Sequence, residues 1–342
     1  MFDSPCRVLD LEAAARCLRR GGVVIFPTET FYGLGCLAAD AAAVGRIYQL
    51  KRRPVQRPLP LLAADAAQAG NVVRLEAAPP ELVARFWPGP LTMIFEKTKI
   101  VPYGTTGGLE TVAVRMPSHP AARAVIDAGG GYIAAPSANT SGRPSPTRAE
   151  HVAEDLDGRI EMIVDGGPVE IGVESTILDM TVTPPMILRP GAVTREMLEE
   201  LIGEVAVDQT LLKADSRTAP KAPGMKYRHY APKANLVVVE GEVEKVTAWI
   251  RETAATKQQE GKRVGIIATE ETKESYPDGD VKVAGTRADE ATIASSLYGI
   301  LREFDGDGVD EIYSEAFASG GIGAAVMNRL LKAAGHQVIR IT

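Results

Sequence analysis

At 342 residues the chain is long for one compact domain, and two domains are the natural expectation. Its 45% hydrophobic and 24% charged content is that of an ordinary globular protein, and a formal net charge of −6 argues against a dedicated nucleic-acid-coating protein, which would be basic. No run of about 18 apolar residues occurs, which excludes a membrane-spanning helix.

In chain order, residues 1–20 read as an amphipathic start without the apolar core of a secretory signal. Residues 23–27 form a short apolar strand that leads into a polar turn, TETFYGLG, and residues 41–51 have helical spacing. Strands are predicted at 58–64, 91–96, 111–116, 132–137, 161–165, 175–180 and 186–190. Helices are predicted at 79–86, 119–128, 148–156 and 194–203. This alternation predicts a curved mixed sheet with helices packed on it.

Residues 208–233 break the rhythm. They end in a proline-rich run without apolar periodicity, TAPKAPGMKYRHYAPK, and carry six Lys/Arg against two Asp/Glu, a local charge of +4. From 234 onward the pattern is regular: NLVVVEG strand, helix 243–258, KRVGIIAT and VKVAG strands, helix 288–303, DEIYSEA strand, helix 321–334, HQVIRI strand. That predicts a small, open, mostly parallel α/β sheet of about five strands, Rossmann-like in rhythm. The GGIG at 320–323 follows the fourth strand, not the first, and is expected to make a tight helix start rather than a dinucleotide site. The expected organisation is therefore a catalytic domain over 1–207, a basic linker over 208–233 and a C-terminal α/β domain over 234–342.

Cys6, Cys17 and Cys36 are odd in number and show no CxxC pairing, which suits a reduced, cytoplasmic chain. The four histidines are scattered, so no zinc site is expected. No GxxxxGK[ST], GxSxG or HExxH occurs. Instead, polar Gly/Pro-punctuated turns follow apolar strands: PTETFYGLG, KRRPVQRPLP, WPGPLT, AVRMP, APSANTSGRPSPT, GVEST and LRPGAVT. Ligands bind at such strand ends in α/β sheets. Lys51, Arg53, Arg57, Arg115, Arg143 and Arg189 lie in or beside these turns with Ser137, Asn139, Ser145, Ser175 and Thr176. Cations, hydroxyls and backbone amides together suit a polyanion such as ATP, and not hydrolysis by paired carboxylates.

PTETFYGLG, the KRR triplet 51–53, the SAN triplet 137–139 and the linker run PGMKYRHYAP closely resemble the threonylcarbamoyl-AMP synthase family in its two-domain form, a YrdC-type domain followed by a smaller C-terminal domain. The resemblance covers essentially the whole chain. It implies a YrdC-type twisted mixed sheet and a reaction in which L-threonine, bicarbonate and ATP with Mg²⁺ give threonylcarbamoyl-AMP and pyrophosphate. A downstream transferase complex then carries the threonylcarbamoyl group to the adenosine beside the anticodon of tRNA.

The resemblance also implies residues. Lys51, Arg53, Ser137 and Asn139 would form the catalytic cluster. Arg53, Arg57, Thr111, Ser137, Ser145, Arg189 and a linker tyrosine, Tyr227 or Tyr230, would contact ATP. Thr30, Arg115, Ala135 and Ser175 would contact threonine, and the linker would fold over the pocket as a lid. Two positions depart from the family pattern: Phe31 stands for the usual valine after PTET, and Leu62 for a frequent histidine at the threonine pocket. Both nucleophiles, amine and carbamate oxygen, belong to the substrates, so the protein has to hold anions together in a dry site. A rival reading, a double-stranded-RNA-binding module, is weakened by the acidic balance and leaves room only for a weak RNA contact.

Overall fold

The structure, a computed structural model, describes residues 6–8, 10–130, 132–208 and 230–342. The chain divides into two compact units, residues 1–141 with 145–225, and residues 142–144 with 226–342.

The first unit is built on an eleven-stranded mixed sheet. Its order is Cys6–Val8, Met162–Val164, Val24–Pro27, Tyr32–Leu37, Ile133–Ala134, Leu61–Leu62, Thr111–Arg115, Leu91–Glu96, Thr176–Asp179, Met186–Arg189 and Ala206–Val207. Alternate residues of each strand feed different cores, as the two-residue side-chain period requires. Ile25, Leu34, Leu61 and Val114 enter one cluster with Val44, Ile47, Leu82 and Val152 from the helices Ala41–Lys51, Pro80–Phe86 and Ala149–Leu156. Val24, Phe26, Leu62 and Ile133 enter another with Leu18, Ala122 and Val125 from the helices Leu11–Arg19 and Pro120–Ala128. A sheet covered on both faces explains why residues 23–27 are continuously apolar.

The second half of the predicted polar turn after this strand is itself strand. Only residues 28–31 turn, and Val24–Pro27 pairs antiparallel with Tyr32–Leu37, Pro27 opposite Tyr32. Glycines hid the second strand: a Cβ on Gly35 would lie 2.5 Å from the Phe26 ring and 2.8 Å from Ile133. Packing, not turn geometry, demands glycine there. The helix Leu11–Arg19, capped by Asp10 accepting from the Ala13 amide, and the helix Ala66–Val72 were not predicted as such. The short helix Tyr103–Thr106 was not predicted either; the helices Ala41–Lys51, Pro80–Phe86, Pro120–Ala128, Ala149–Leu156 and Arg195–Ile202 lie within a residue or two of the predicted ranges, whereas 58–64 and 132–137 keep only two-residue strands, Leu61–Leu62 and Ile133–Ala134.

The second unit has a five-stranded, all-parallel sheet ordered Asp280–Val283, Val264–Ala268, Glu311–Glu315, Asn235–Glu240, Val338–Arg340. The helices Val243–Gln259, Glu290–Asp307 and Gly323–Ala333 follow the predicted rhythm. Gly323 opens its helix with its amide on Glu290 Oε2 (3.0 Å), and a Cβ there would meet the Ala318 carbonyl at 2.4 Å. The GGIG run is thus a close backbone approach. Among the described residues no helix is long and apolar enough to cross a membrane.

Candidate active site

The helix Ala41–Lys51 is started by Asp40, whose carboxylate accepts from the amides of Ala42 and Ala43. It is stopped by Arg52 in the left-handed region (φ 49°). Its last residue, Lys51, is buried and donates its ammonium to the main-chain carbonyls of Ser137 and of Asn139, the latter at 2.6 Å. Ser137 Oγ in turn donates to Asn139 Oδ1 (2.5 Å), and Asp155 accepts from the Thr140 amide (3.0 Å). Burial and the neighbouring Arg53 charge hold the Lys51 ammonium well below the ordinary lysine range, against the pull of Asp155. Arg53 braces the next loop, with Nε on the Arg57 carbonyl (3.3 Å) and Nη2 on that of Pro58 (3.0 Å). Beyond that loop Thr111 helps to line a narrow pocket walled by Pro58, Pro60, Ile94 and Leu109.

A second group forms on the hairpin turn. Thr28 Oγ1 accepts from the amides of Thr30 and Phe31 (both 3.2 Å), fixing the turn. Arg115, at the end of the strand Thr111–Arg115, donates Nη1 to Thr30 Oγ1 (2.8 Å) and Nε to the Gly89 carbonyl (3.2 Å). Its Nη2 lies 2.7 Å from Glu29 Oε1, and both side chains are 3% exposed. Burial alone would push the Glu29 carboxyl up, but the Arg115 charge and hydrogen bond, with the amides of Glu29 and Ser118, hold it below the usual range. Thr111 and Arg115 are four positions apart along one strand, so the two lie on the same sheet face roughly 13 Å apart.

The third group joins across the ladder. Thr92 pairs with Arg115 in the antiparallel register, which puts both on one face. Thr92 Oγ1 and Ser175 Oγ are 2.7 Å apart, and Ser175 Oγ accepts from Arg189 Nη2 (3.1 Å) while its carbonyl accepts from Arg189 Nε (3.0 Å). Next to Ser175, Glu174 accepts from Ser145 Oγ (2.6 Å). Gly191 has no room for a side chain: a Cβ would lie 2.3 Å from the Thr176 amide and 2.7 Å from the Glu174 carbonyl.

Main-chain pairing ties the groups together. Gly33 bridges Ser137, and the Ala138 amide donates to the Tyr32 carbonyl (2.8 Å). Thus Lys51, Ser137 and Asn139 meet directly, as do Thr30 with Arg115 and Ser175 with Arg189. Ala135 is buried beside Gly33, whose Cβ would lie 3.7 Å from that of Ala135. Leu62 is buried in strand register with Arg115 on one side and Ile133 on the other, and supplies only apolar surface. Arg143 and Tyr230 belong to the second unit, where Arg143 pairs with Asp305 (3.6 Å) and Tyr230 packs on Tyr298 with ring centroids 5.2 Å apart. Tyr227 and the body of the expected lid lie outside the described residues.

Glu29, Thr92 and Glu174 were missed although PTET, WPGPLT and GVEST were singled out. An anion site is signalled in sequence by its donors, whereas the carboxylates that orient those donors carry no signal of their own. Asp155 gave no signal in the sequence beyond its place in a predicted helix.

The family described as Telomere recombination matches residues 16–191, and the family described as Threonylcarbamoyl-AMP synthase, C-terminal domain, matches 193–335. A threonylcarbamoyl-AMP synthase from Bacillus subtilis (strain 168) is 50% identical over 331 residues, covering 96% of this chain and 93% of the relative. One from Pyrococcus abyssi (strain GE5 / Orsay) is 47% identical over 332 residues, covering 97% and 96%. The crystal structure of P. abyssi Sua5 complexed with L-threonine matches with a TM-score of 0.90 at 46% identity, covering 97% of this chain and 96% of that one.

Proposed function

The chain belongs to the threonylcarbamoyl-AMP synthase family, enzymes that transfer an AMP group, and on that premise we propose that it condenses L-threonine, bicarbonate and ATP to threonylcarbamoyl-AMP and pyrophosphate. The observation that carries the proposal is the junction of two binding chemistries in the first unit. Arg115 with Thr30 offers a carboxylate- and hydroxyl-binding pair, and across one ladder position Thr92, Ser175 and Arg189 offer donors of the kind that phosphate oxygens take. The threonine complex of the P. abyssi relative supports L-threonine as the amino acid.

On this reading the Arg115 guanidinium pairs with threonine's carboxylate and Thr30 with its hydroxyl, while Ala135 and Ser175 shape the pocket. ATP lies along the face from Thr111 toward Ser175, met by Arg53, Arg57, Thr111, Ser137, Ser145 and Arg189. Threonine's amine, giving up a proton, adds to the carbon of CO2 or displaces water from bicarbonate to form the carbamate, and the carbamate oxygen attacks the α-phosphorus, expelling pyrophosphate. No side chain need be a nucleophile; orientation of the bound reactants can supply roughly 7–11 kcal/mol in the best cases. Lys51 contributes by holding the carbonyls of the 137–139 loop, so that the loop's shape is set before substrate arrives.

Among the described residues no group of three or more His, Cys, Asp or Glu is placed to hold a metal. A donor set of cations and hydroxyls fits Mg²⁺ that is carried on the phosphate oxygens and keeps its own waters. When bound there it would neutralise charge on the triphosphate. The product would be consumed by a transferase that modifies the adenosine next to the anticodon of tRNA, work that belongs to the cytoplasm, where Cys17 and Cys36 would stay the free thiols they are in this structure.

The test is mass spectrometry of products from ATP, bicarbonate and threonine, with pyrophosphate followed in parallel. Threonine-dependent pyrophosphate and a threonylcarbamoyl-adenylate mass are expected. Neither appearing would overturn the proposal.

A further inference from the structure

Arg115 is an unusual anchor for a substrate carboxylate, because a buried carboxylate already faces it. Glu29 sits one residue before Thr30 in the same fixed turn, 2.7 Å from Arg115 Nη2, and neither side chain has appreciable contact with solvent. The backbone around Glu29 is pinned: its carbonyl accepts from the Ile171 amide (2.8 Å), and Thr28 Oγ1 closes the turn on Thr30 and Phe31. The other bonds of Arg115 run to Thr30 Oγ1 and the Gly89 carbonyl, both neutral acceptors. Of the three groups that orient the guanidinium, Glu29 alone carries charge.

We propose that Glu29 is a positioning residue for amino-acid recognition: its carboxylate, 2.7 Å from Nη2, draws the Arg115 guanidinium into place by charge and offsets that charge, so that the site selects a zwitterion through a correctly placed, and not merely a positive, Arg115. The inference rests on the reading of Arg115 as the partner of threonine's carboxylate.

Charge explains why a carboxylate is needed. An isolated buried guanidinium would carry the full desolvation penalty between turnovers and would be free to pair with any small anion. Paired with Glu29 it is locally neutral, and its hold on a ligand depends on bidentate geometry. The same pairing argues against proton transfer by Glu29. Its carboxyl is held below the usual range, which makes it a poor acceptor for the proton of an ammonium group.

The experiment compares wild type, Glu29→Gln, Arg115→Gln and the double variant Glu29→Gln/Arg115→Gln, with Tm for each. KM is measured for L-threonine, for L-threoninamide (which lacks the carboxylate) and for ATP. Glu29→Gln should raise the threonine KM at least tenfold, leave the ATP KM within twofold, and erode the preference for threonine over threoninamide. In the Arg115→Gln background the second substitution should change the threonine KM by less than twofold, because Glu29 acts through Arg115. The double variant has no unpaired buried charge, so it keeps the comparison open if Glu29→Gln alone folds poorly. Threonine and ATP constants moving together, a Tm loss without a change in threonine KM, or additive effects in the double variant would each overturn the positioning role. A wild type without threonine-dependent pyrophosphate release would instead fail the underlying reaction.

Discussion

Lys51 reaches 88 positions along the chain to donate its ammonium to the carbonyl oxygen of Asn139, at 2.6 Å and out of contact with water. The bond welds the end of a helix to the loop that follows the strand Ile133–Ala134. Lys51→Met should therefore cost about 1–3 kcal/mol of stability for the buried carbonyl left without a donor. It should also depress threonine-dependent pyrophosphate release at least tenfold, chiefly through the ATP KM. Chemical denaturation and steady-state kinetics would show it; a destabilised variant with an unaltered ATP KM would mean that the loop does not need this brace.

Acid should reveal the Glu29–Arg115 pair. The folded carboxyl lies below the ordinary value of 4.5, so the stability it contributes is fully present above that pH and is lost as pH falls through the folded pKa. Tm curves of wild type and Glu29→Gln should be furthest apart near neutrality and converge as the medium becomes more acidic than about pH 4. A gap that stays constant from pH 7 to pH 3 would rule out this ionic contribution.

Thr92 is expected to matter although it has no role in the sequence-based expectations. Thr92→Val keeps the shape and removes the 2.7 Å contact to Ser175 Oγ, loosening the hydroxyl that also receives Arg189. A loss of about 1 kcal/mol, roughly fivefold in kcat/KM, is the expected scale. Kinetics indistinguishable from wild type would show that Arg189 orients Ser175 unaided.

Amino-acid selectivity should be lopsided. Thr30 Oγ1, already tied to Arg115, is a hydroxyl partner in a buried setting, so an analogue without the hydroxyl, L-2-aminobutyrate, should lose about 10⁴-fold in kcat/KM. Serine lacks only a methyl and should lose roughly 10–200-fold. Competition assays with the three amino acids give the ratios, and a serine penalty larger than that of aminobutyrate would remove Thr30 from hydroxyl recognition.

Gly191→Ala tests how closely the two strand ends must approach. The added methyl would press on the Thr176 amide and the Glu174 carbonyl, both main-chain atoms that cannot swing aside. Forcing them apart should cost about 1–3 kcal/mol and separate Arg189 from Ser175, lowering activity in step with Tm. An alanine variant of full stability would mean that the backbone relaxes at little cost.

Much of this was legible in advance, and the exceptions share a physical cause. The second unit followed its predicted order because the central strands Asn235–Glu240 and Val264–Ala268 are apolar runs and the helices between strands are amphipathic. The strand Tyr32–Leu37 was hidden because Gly35 makes room for Phe26 and for Ile133, the latter on a strand far away in sequence. In the site, the cations and hydroxyls were visible from composition and motif. What they bond to was not: Lys51 and Arg53 pair largely with carbonyl oxygens, which leave no trace in side-chain identity. Glu29 and Thr92 were visible as letters, but their partner Arg115 comes from strands that neighbour them only after folding.

The reliance of Lys51 and Arg53 on carbonyl acceptors has a further consequence. Every amino acid brings the same C=O, so Asn139, Arg57 or Pro58 can be exchanged without deleting the acceptor, provided the path of the chain is kept. Pairwise co-variation would be blind to these links, and a scan that truncates side chains would register only the cationic half of each.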